Sequence, residues 1–301
     1  MKHAYLIIAH DQFKLLKKLL ELLDSENSDI YIHIDKKAQE KDISNCLVNV
    51  KKSKVKQIQS YSVNWGGYSL VKCTLELLKE STRTHHDYYH LISGHDLPIK
   101  THSEFDRFLE LNYGKEFIHY AKEDEIVRCN VIDRIQYFHW FQENLKCKNC
   151  PKKVISTILK NITLSIQRIF RIKREIEHSL QFGSQWFSIT ENCAKYIVQQ
   201  EEEIEKVFKY TRCSDEMFIQ MIVFESPYYK NVYDINREMK FEGCLRQIDF
   251  ERGNGKGNPY VYTLQDKEIL EKSNCFFARK FDLNIDSQIV EYLYKKKELG
   301  V

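Results

Sequence analysis

The sequence lacks the features that mark membrane-spanning, secreted and nucleic-acid-binding proteins. No stretch approaches the roughly 20 apolar residues that a membrane-spanning helix requires, and segment 1–13 turns polar too early for a signal peptide. The formal net charge is only +3 over 301 residues, whereas nucleic-acid-binding domains usually carry a strongly basic surface. We therefore expect a cytoplasmic protein with no nucleic-acid partner.

The motifs of two common nucleotide-binding classes are also missing. No GxGxxG follows the first predicted strand, and GxxxxGK(S/T) does not occur, so neither a dinucleotide-dependent oxidoreductase nor a P-loop enzyme is supported. The sequence contains no DxD, which disfavours a divalent-metal site. We expect no cofactor and no bound metal.

Cysteine usage does not indicate a secreted protein. Nine cysteines, an odd number, are scattered from Cys46 to Cys275, which is unlike a disulfide framework and predicts free thiols. Cys147 and Cys150 have the spacing of a zinc knuckle, but no second pair completes four ligands. A polar loop is therefore the favoured interpretation of this segment, with zinc or redox chemistry as the alternative.

The composition indicates a globular α/β protein. Apolar residues make up 43% of the chain, enough to bury a sizeable core, and the length suits a single domain over 1–301. Short β-rich runs alternate with helical patterns over the first 120 residues, which is typical of parallel strands. Strands are predicted at 4–10, 29–35, 54–60 and 88–93, and helices around 12–23, 68–80 and 103–111.

Polar residues follow these predicted strands. His10, Asp35 and the segments 62–67 and 93–96 come at the strand ends. Ligands of open α/β sheets lie beyond the carboxyl ends of the strands, so we expect these segments to converge on one crevice. Carboxylates there could bind a ribose or a uracil, although Asp35 or Asp96, taken singly, could be a loop or capping residue.

The second half of the chain is less regular. Residues 151–178 form a long helical pattern with apolar positions among many basic residues. An ordinary helix with a solvated basic face is the favoured interpretation, and the alternative is peripheral contact with the anionic inner face of a membrane. We also predict strands at 183–190, 241–250 and 276–282, a helix over 191–208 capped by Thr190, a helix from Ser214, and helices near 265–272 and at the C-terminus.

Seven pieces of sequence resemble one enzyme family in their order and rough spacing. They are IIAH at 7–10, IHID at 32–35, WGGYSLV at 65–71, LISGHDLPIKT at 91–101, GSQWFSIT at 183–190, SDE at 214–216 and FFARKFD at 276–282. The set resembles the family 14 glycosyltransferases, which include the core-2/I-branching N-acetylglucosaminyltransferases and the peptide O-xylosyltransferases. The chain looks like a bacterial-type member.

The resemblance implies a fold and a reaction. The fold would be GT-A-like, that is, a Rossmann-like nucleotide-diphospho-sugar transferase fold with a mixed central sheet flanked by helices. Residues 1–120 would form the nucleotide-sugar-binding half, and residues 121–301 the acceptor-binding and catalytic half. The donor would be a UDP-sugar, and transfer would invert the anomeric carbon without a divalent metal.

The resemblance also implies roles for individual residues. Glu216 would be the catalytic base, Lys280 would face the donor diphosphate, and Asp35 and His10 would line the nucleoside pocket. Further candidate donor-binding residues are Trp65, Gly66, Asp96, Arg246, Arg252 and Arg279. Candidate acceptor-binding residues are Ser184, Gln185, Trp186 and Asp215.

Some of these roles have alternatives. The animal branching enzymes supply a second cation shortly before the last helix, and the matching stretch NPYVYTLQD contains none, so Arg246 or Arg252 is assigned as a substitute. Trp65 and Trp186 are as well explained by core packing as by stacking on a sugar ring. Glu216 could be only a carboxylate that interacts with a helix dipole.

The chemistry of glycosyl transfer fits the implied roles. An alcohol is a poor nucleophile at neutral pH and needs a base such as Glu216, and the departing diphosphate needs positive charge, which Lys280 and Arg279 could supply in place of a metal. We expect transfer of N-acetylglucosamine or xylose to a hydroxyl of a glycan or lipid-linked glycan acceptor. The reaction would belong to surface polysaccharide synthesis. The alternative is a non-catalytic nucleotide- or carbohydrate-binding protein on the same fold.

Overall fold

The computed structural model describes residues 1–39, 43–144, 150–255 and 257–298. Its strands are β1 (His3–Ala9), β2 (Ser28–Ile34), β3 (Lys54–Gln57), β4 (Tyr88–Ser93), β5 (Leu97–Pro98), β6 (Phe117–Ile118), β7 (Phe187–Thr190), β8 (Arg246–Ile248) and β9 (Phe277–Arg279). Its α-helices are α1 (Phe13–Leu23), α2 (Tyr68–Ser81), α3 (His102–Leu111), α4 (Glu123–Arg128), α5 (Val131–Gln136), α6 (Cys150–Ile169), α7 (Glu191–Gln199), α8 (Glu201–Phe208), α9 (Phe218–Phe224), α10 (Lys267–Lys272) and α11 (Ser287–Glu298).

A six-stranded mixed sheet organises the chain, with strand order β3-β2-β1-β4-β7-β6. Strands β1 to β4 pair in parallel, and β7 runs antiparallel to both β4 and β6. A smaller sheet with order β5-β9-β8 brings the C-terminal quarter of the chain beside the loop after β4. The predicted α/β class and mixed central sheet flanked by helices are confirmed, and strands from both halves of the chain share the central sheet.

Two apolar cores cover the faces of the central sheet. Side chains alternate along β1, so Tyr5 and Ile7 pack on one face while Ala4 and Leu6 pack on the other. The first core is completed by α1 and α11, and the second by α2, α7 and α9. Because β1, β2 and β4 are covered on both faces, each reads as a nearly continuous apolar run, which explains why the sequence predicts them well.

Several predicted elements differ from the structure. The helix predicted over 151–178 ends at Ile169, and the one over 191–208 is interrupted at Gln200, between α7 and α8. Residues Ser214–Glu216 form a 3₁₀ turn that precedes α9, rather than the first turn of that helix. The strand predicted over 241–250 shortens to β8, preceded by a 3₁₀ turn over Phe241–Cys244.

The predicted free thiols are confirmed where side chains are described, because the seven cysteines concerned are all unpaired. The Cys147 thiol, and with it the suggested zinc or redox pair with Cys150, lies outside the described residues. Among the described helices, none combines the length and the apolar character that crossing a bilayer would require.

Candidate functional site

One large cleft of about 2330 Å³ opens at the carboxyl ends of β1, β2 and β4. Backbone bonds keep these ends together, because the amide of Asp35 donates to the carbonyl of Ala9 (2.9 Å) and the amide of Gly94 donates to that of Ile8 (3.0 Å). The predicted crevice is therefore present where parallel strands place it. Eleven of the predicted site residues line it, namely His10, Asp35, Trp65, Ser184, Gln185, Trp186, Asp215, Glu216, Arg246, Arg279 and Lys280.

Asp35 organises the loop that carries Trp65. Its carboxylate accepts hydrogen bonds from the amides of Lys37 (2.8 Å) and Val63 (3.4 Å). The Lys37 ammonium bridges the same carboxylate (3.5 Å) and the side-chain oxygen of Asn64 (2.8 Å). Trp65 follows with 53% of its surface exposed, so its ring borders the cleft rather than the core.

His95 fastens the segment that carries Lys280 to the end of β4. Its Nδ1 lies 3.1 Å from the carbonyl oxygen of Phe281, and the Phe281 amide donates back to the carbonyl of His95 (3.0 Å). A carbonyl can only accept, so Nδ1 carries a proton. The Nε2 atom lies 2.6 Å from the carboxylate of Asp11, and this hydrogen bond holds the pKa of Asp11 below its ordinary value.

His10, Asp11 and His95 form a cluster at this end of the cleft. Their potential ligand atoms all lie within 4.8 Å of one another, a spacing that could hold a metal ion. Sequence reasoning did not find this cluster, since its members come from two separate strand ends. Freedom from metal stays a prediction for this chain.

Lys280 and Arg279 approach the cleft from β9. Within the described ranges, no carboxylate lies within salt-bridge distance of the Lys280 ammonium, which faces His10 and Asp11. The Arg279 guanidinium lies over the ring of Trp186 (4.4 Å) and donates to the carboxylate of Asp96 (3.0 Å). The two cations therefore differ. Arg279 is held in place by its partners, whereas Lys280 projects towards the His10–Asp11 end of the cleft.

Asp96 holds Arg279 and has no surface for a ligand. The side chain is fully buried, and its carboxylate accepts hydrogen bonds from the amide (3.0 Å) and hydroxyl (2.7 Å) of Ser93 as well as from Arg279. This burial disfavours direct contact of Asp96 with a donor, and its donor-binding role stays a prediction. The residue positions a cation instead.

The two arginines assigned as substitute cations are engaged by other partners, which disfavours their predicted phosphate role. Arg246 borders the cleft but is only 1% exposed, and its guanidinium donates to the carbonyls of Leu91 (3.0 Å), Phe187 (2.9 Å) and Cys244 (2.8 Å). It thus ties the two sheets together. Arg252 does not line the cleft, because it is paired with two carboxylates, Asp249 and Asp266, each at 2.6 Å.

Gly66 shapes the site without lining it. Its φ of +73° is strained for any other residue, and an added Cβ would lie 2.9 Å from Nε2 of Gln142. The Gly66 carbonyl accepts a hydrogen bond from the amide of Cys213 (2.8 Å). The WGG loop is thereby joined to the turn that carries Glu216, which gives Gly66 a positioning role, and its contact with a donor stays a prediction.

Glu216 lines the cleft, paired with Arg134. The Arg134 guanidinium donates to its carboxylate at 2.7 Å. Although 38% of the Glu216 side chain is accessible from the cleft, the surrounding protein desolvates the carboxylate and raises its pKa, and Arg134 opposes that rise. A carboxylate with a raised pKa that remains oriented by a hydrogen bond is well suited to act as a base.

Asp215 is buried directly beside Glu216. Only 6% of it is exposed, and burial together with the neighbouring Glu216 raises the pKa of its carboxyl group. Its Oδ1 atom has no hydrogen-bonding partner among the described residues. This burial disfavours direct binding of an acceptor by Asp215. The carboxyl group is instead placed to interact electrostatically with Glu216.

The segment 183–187 (GSQWF) is anchored to the turn that carries Glu216. The amide of Gly183 donates to the carbonyl of Glu216 (2.9 Å), and the Gln220 side chain donates to the carbonyl of Ser184 (2.7 Å). Ser184 and Trp186 are largely buried, at 9% and 8% exposure, and Gln185 lies between them at the cleft wall. Core packing thus accounts for most of Trp186, and only its face under Arg279 belongs to the site.

Sequence reasoning missed three residues that shape this site. Arg134 sits in no motif, and no local pattern signals it. Glu143 accepts hydrogen bonds from the amide (2.8 Å) and hydroxyl (2.8 Å) of Ser69 beside the WGG loop, and it also comes from a region without a motif. His95 could have been found, because it lies inside the SGHDLP piece together with Asp96.

Comparison with known proteins supports the resemblance found in the sequence. The profile of the family described as Core-2/I-Branching enzyme matches residues 3–260. The chain is 23% identical to xylosyltransferase 2 of Rattus norvegicus over 308 residues, which covers 96% of this chain and 33% of that protein. It is 24% identical to xylosyltransferase sqv-6 of Caenorhabditis briggsae over 304 residues, which covers 92% of this chain and 34% of that protein.

The comparison with solved structures is much weaker. HddC from Yersinia pseudotuberculosis overlaps 40% of this chain and 59% of its own, at a TM-score of 0.27 and 16% identity. That similarity carries no argument about the fold, so the GT-A-like assignment stays a prediction. The chain spans about a third of the length of the xylosyltransferases it matches, and the family profile covers most of it. This chain belongs to the Core-2/I-Branching enzyme family of glycosyltransferases.

Proposed function

We propose that the chain transfers a sugar from a UDP-sugar to a hydroxyl group of a glycan acceptor, with inversion and without a divalent metal. Xylose and N-acetylglucosamine are the proposed sugars, and the names of the matched xylosyltransferases favour xylose. The observation that carries the proposal is the convergence of Glu216 and Lys280, from distant parts of the sequence, on one cleft at the strand ends.

In the proposed reaction Glu216 removes the proton from the acceptor hydroxyl. The acceptor oxygen forms a bond to the anomeric carbon while the bond from that carbon to the diphosphate breaks, and the proton remains on Glu216. Attack from the side opposite the leaving group inverts the configuration. Arg134 orients the carboxylate through its 2.7 Å hydrogen bond and lowers its pKa, which favours the ionised form that accepts the proton.

Two cations would receive the charge that develops on the departing UDP. Lys280 offers an ammonium that is not paired with any described carboxylate, and Arg279 is pre-positioned by Asp96 and the Trp186 ring. Fixed positive charge in a cleft stabilises a developing diphosphate charge without reorganisation during the reaction. His10 and Asp35 would line the nucleoside end, with Trp65 stacking at the rim.

A donor screen tests this proposal. Release of UDP is followed with UDP-xylose, UDP-N-acetylglucosamine, UDP-glucose and UDP-galactose, each with a panel of glycan acceptors that includes lipid-linked ones. Acceptor-dependent UDP release with one of the first two donors is expected. UDP binding without turnover on any donor would instead favour a non-catalytic nucleotide-binding protein on this fold.

A further inference from the structure

Helix α6 packs against the rest of the protein through its polar side. Ser156 and Gln167 are buried there, and Thr163 lies between them on the same face. The Gln167 side chain accepts from the amide of Phe138 (2.8 Å) and donates to the carbonyl of the same residue (3.1 Å). The contact of α6 with the body is therefore specific and polar, the reverse of the usual surface helix.

An adjoining side of α6 carries an apolar stripe that is exposed to solvent. At 100° per residue its six members fall within an arc of about 100°, and each is between 38% and 73% exposed. They are Ile155, Ile158, Leu159, Ile162, Ile166 and Ile169. Phe170 and Ile172 extend the stripe beyond the end of the helix. Continuous exposed stripes of this kind mark interaction surfaces on otherwise soluble folds.

Charge identifies the partner. Residues 150–174 contain seven Lys and Arg and no Asp or Glu, so the remainder of this +3 chain carries a net charge of −4 (+3 minus 7). A second copy of the chain would bring two such segments together, and their like charges would oppose the contact. An anionic lipid surface satisfies both features, because it attracts the basic residues and buries the stripe.

We propose that α6 is an interfacial helix that lies in the plane of an anionic bilayer, with its apolar stripe in the acyl boundary and basic side chains among the headgroups. Twenty residues give it a length of about 30 Å. Arg171 and Lys173 are exposed just beyond the stripe and face headgroups, whereas Arg174 turns inward to the hydroxyl of Thr211 (2.8 Å).

The helix also borders the cleft. Lys160, on the inner side of α6, is among the cleft-lining residues, together with Arg134 and Glu216. Docking through the outer stripe would place the acceptor half of the cleft beside the lipid surface. This inference concerns membrane binding alone, so it can be measured whether or not the proposed transfer reaction occurs.

Flotation of the full chain with vesicles tests the proposal. Wild-type protein should float with vesicles of phosphatidylglycerol and phosphatidylcholine, and much less with phosphatidylcholine alone. The variant Ile158→Gln/Ile162→Gln/Ile166→Gln should lose about tenfold or more in partition coefficient, since it removes much of the buried apolar area. The matched control Thr157→Gln/Asn161→Gln alters exposed positions of the same helix away from the stripe and should bind like wild type.

Two further measurements keep the result decisive. Circular dichroism and thermal unfolding show that each variant is folded, and Arg171→Gln/Lys173→Gln should weaken flotation on anionic vesicles while leaving the stripe intact. Absence of wild-type flotation, or equal loss in the stripe and control variants, would overturn the proposal. So would sedimentation velocity showing a dimer that the stripe variant abolishes, since the occupant would then be a second copy.

Discussion

The two ends of the cleft are built differently. At the proposed donor end His95, Asp96 and Ser93 hold the segment around Arg279 and Lys280 through hydrogen bonds of 2.7, 3.0 and 3.1 Å. At the other end two carboxylates lie side by side, and buried polar atoms of Ser214, Asp215 and Arg134 have no hydrogen-bonding partner among the described residues. The donor end thus fixes geometry, while the base end is governed by charge and burial.

This difference separates the effects that substitutions should have. Changes at the donor end should alter the affinity for UDP, because they displace or remove a positioned cation. Changes at the base end should alter the rate and its pH dependence with little effect on UDP binding. UDP affinity, turnover and pH dependence of single variants therefore test that separation.

Replacing the proposed base should have the largest effect. Loss of general-base catalysis typically costs about 10²–10⁴-fold in rate, so we expect Glu216→Gln to lower kcat by this order while UDP affinity stays unchanged in calorimetry. Glu202→Gln, at an exposed position on α8, is the matched control and should retain full activity. Normal turnover by Glu216→Gln would show that another group accepts the proton.

Removing the Lys280 ammonium should weaken donor binding. A charge-assisted hydrogen bond contributes about 1.5–3 kcal/mol, so Lys280→Ala should raise the Kd for UDP by roughly 10- to 100-fold. Lys267→Ala removes an exposed lysine at the start of α10 and controls for the change in net charge. Equal affinity of the Lys280 variant and wild type would separate this residue from the diphosphate.

Removing the hydrogen bonds that hold the Lys280 segment should also weaken UDP binding, by a smaller factor. His95→Phe removes both hydrogen bonds of the imidazole, and at about 1 kcal/mol for a typical bond we expect a roughly 3- to 10-fold weaker UDP affinity. His95→Asn keeps a donor near the position of Nδ1 and should recover part of the loss. If the two variants behave alike, the bond to the Phe281 carbonyl does not position Lys280.

The pH profile should report the base end. A base must be ionised, and the raised pKa of Glu216 implies that kcat/KM falls on the acid side at a pH above that of an ordinary glutamate. Arg134 lowers this pKa, so Arg134→Gln should move the acid limb to higher pH. Asp215 is coupled to Glu216, and the limb therefore belongs to the pair. A limb that stays in place would exclude Arg134 from tuning the base.

The sequence predicted the parallel strands and the cleft because both depend on local patterns. Buried strands such as β1 and β2 are continuous apolar runs, and polar residues directly after them must meet at one edge of the sheet. Glu216 and Lys280 were found because they lie in recognisable pieces. These features require no knowledge of long-range packing.

The errors arose where distant segments decide the outcome. Arg246 and Arg252 have the right charge, but carbonyls of β4 and β7 capture the first and Asp266 captures the second. Nothing in the neighbouring sequence shows which way a guanidinium turns. Helix α6 departs from expectation for a related reason, since pattern reasoning assumes that the apolar face turns inward, and here the polar face makes the contact.

The central claim is that fixed cations serve the leaving diphosphate in place of a metal, and the most direct test is kcat/KM for transfer by protein stripped with EDTA. We expect the stripped wild-type enzyme to keep full activity, and added Mg²⁺ or Mn²⁺ should not raise that activity. Activity lost in EDTA and restored by Mn²⁺, with that restoration abolished in His10→Ala, would contradict the account and assign the chemistry to a metal held by His10, Asp11 and His95.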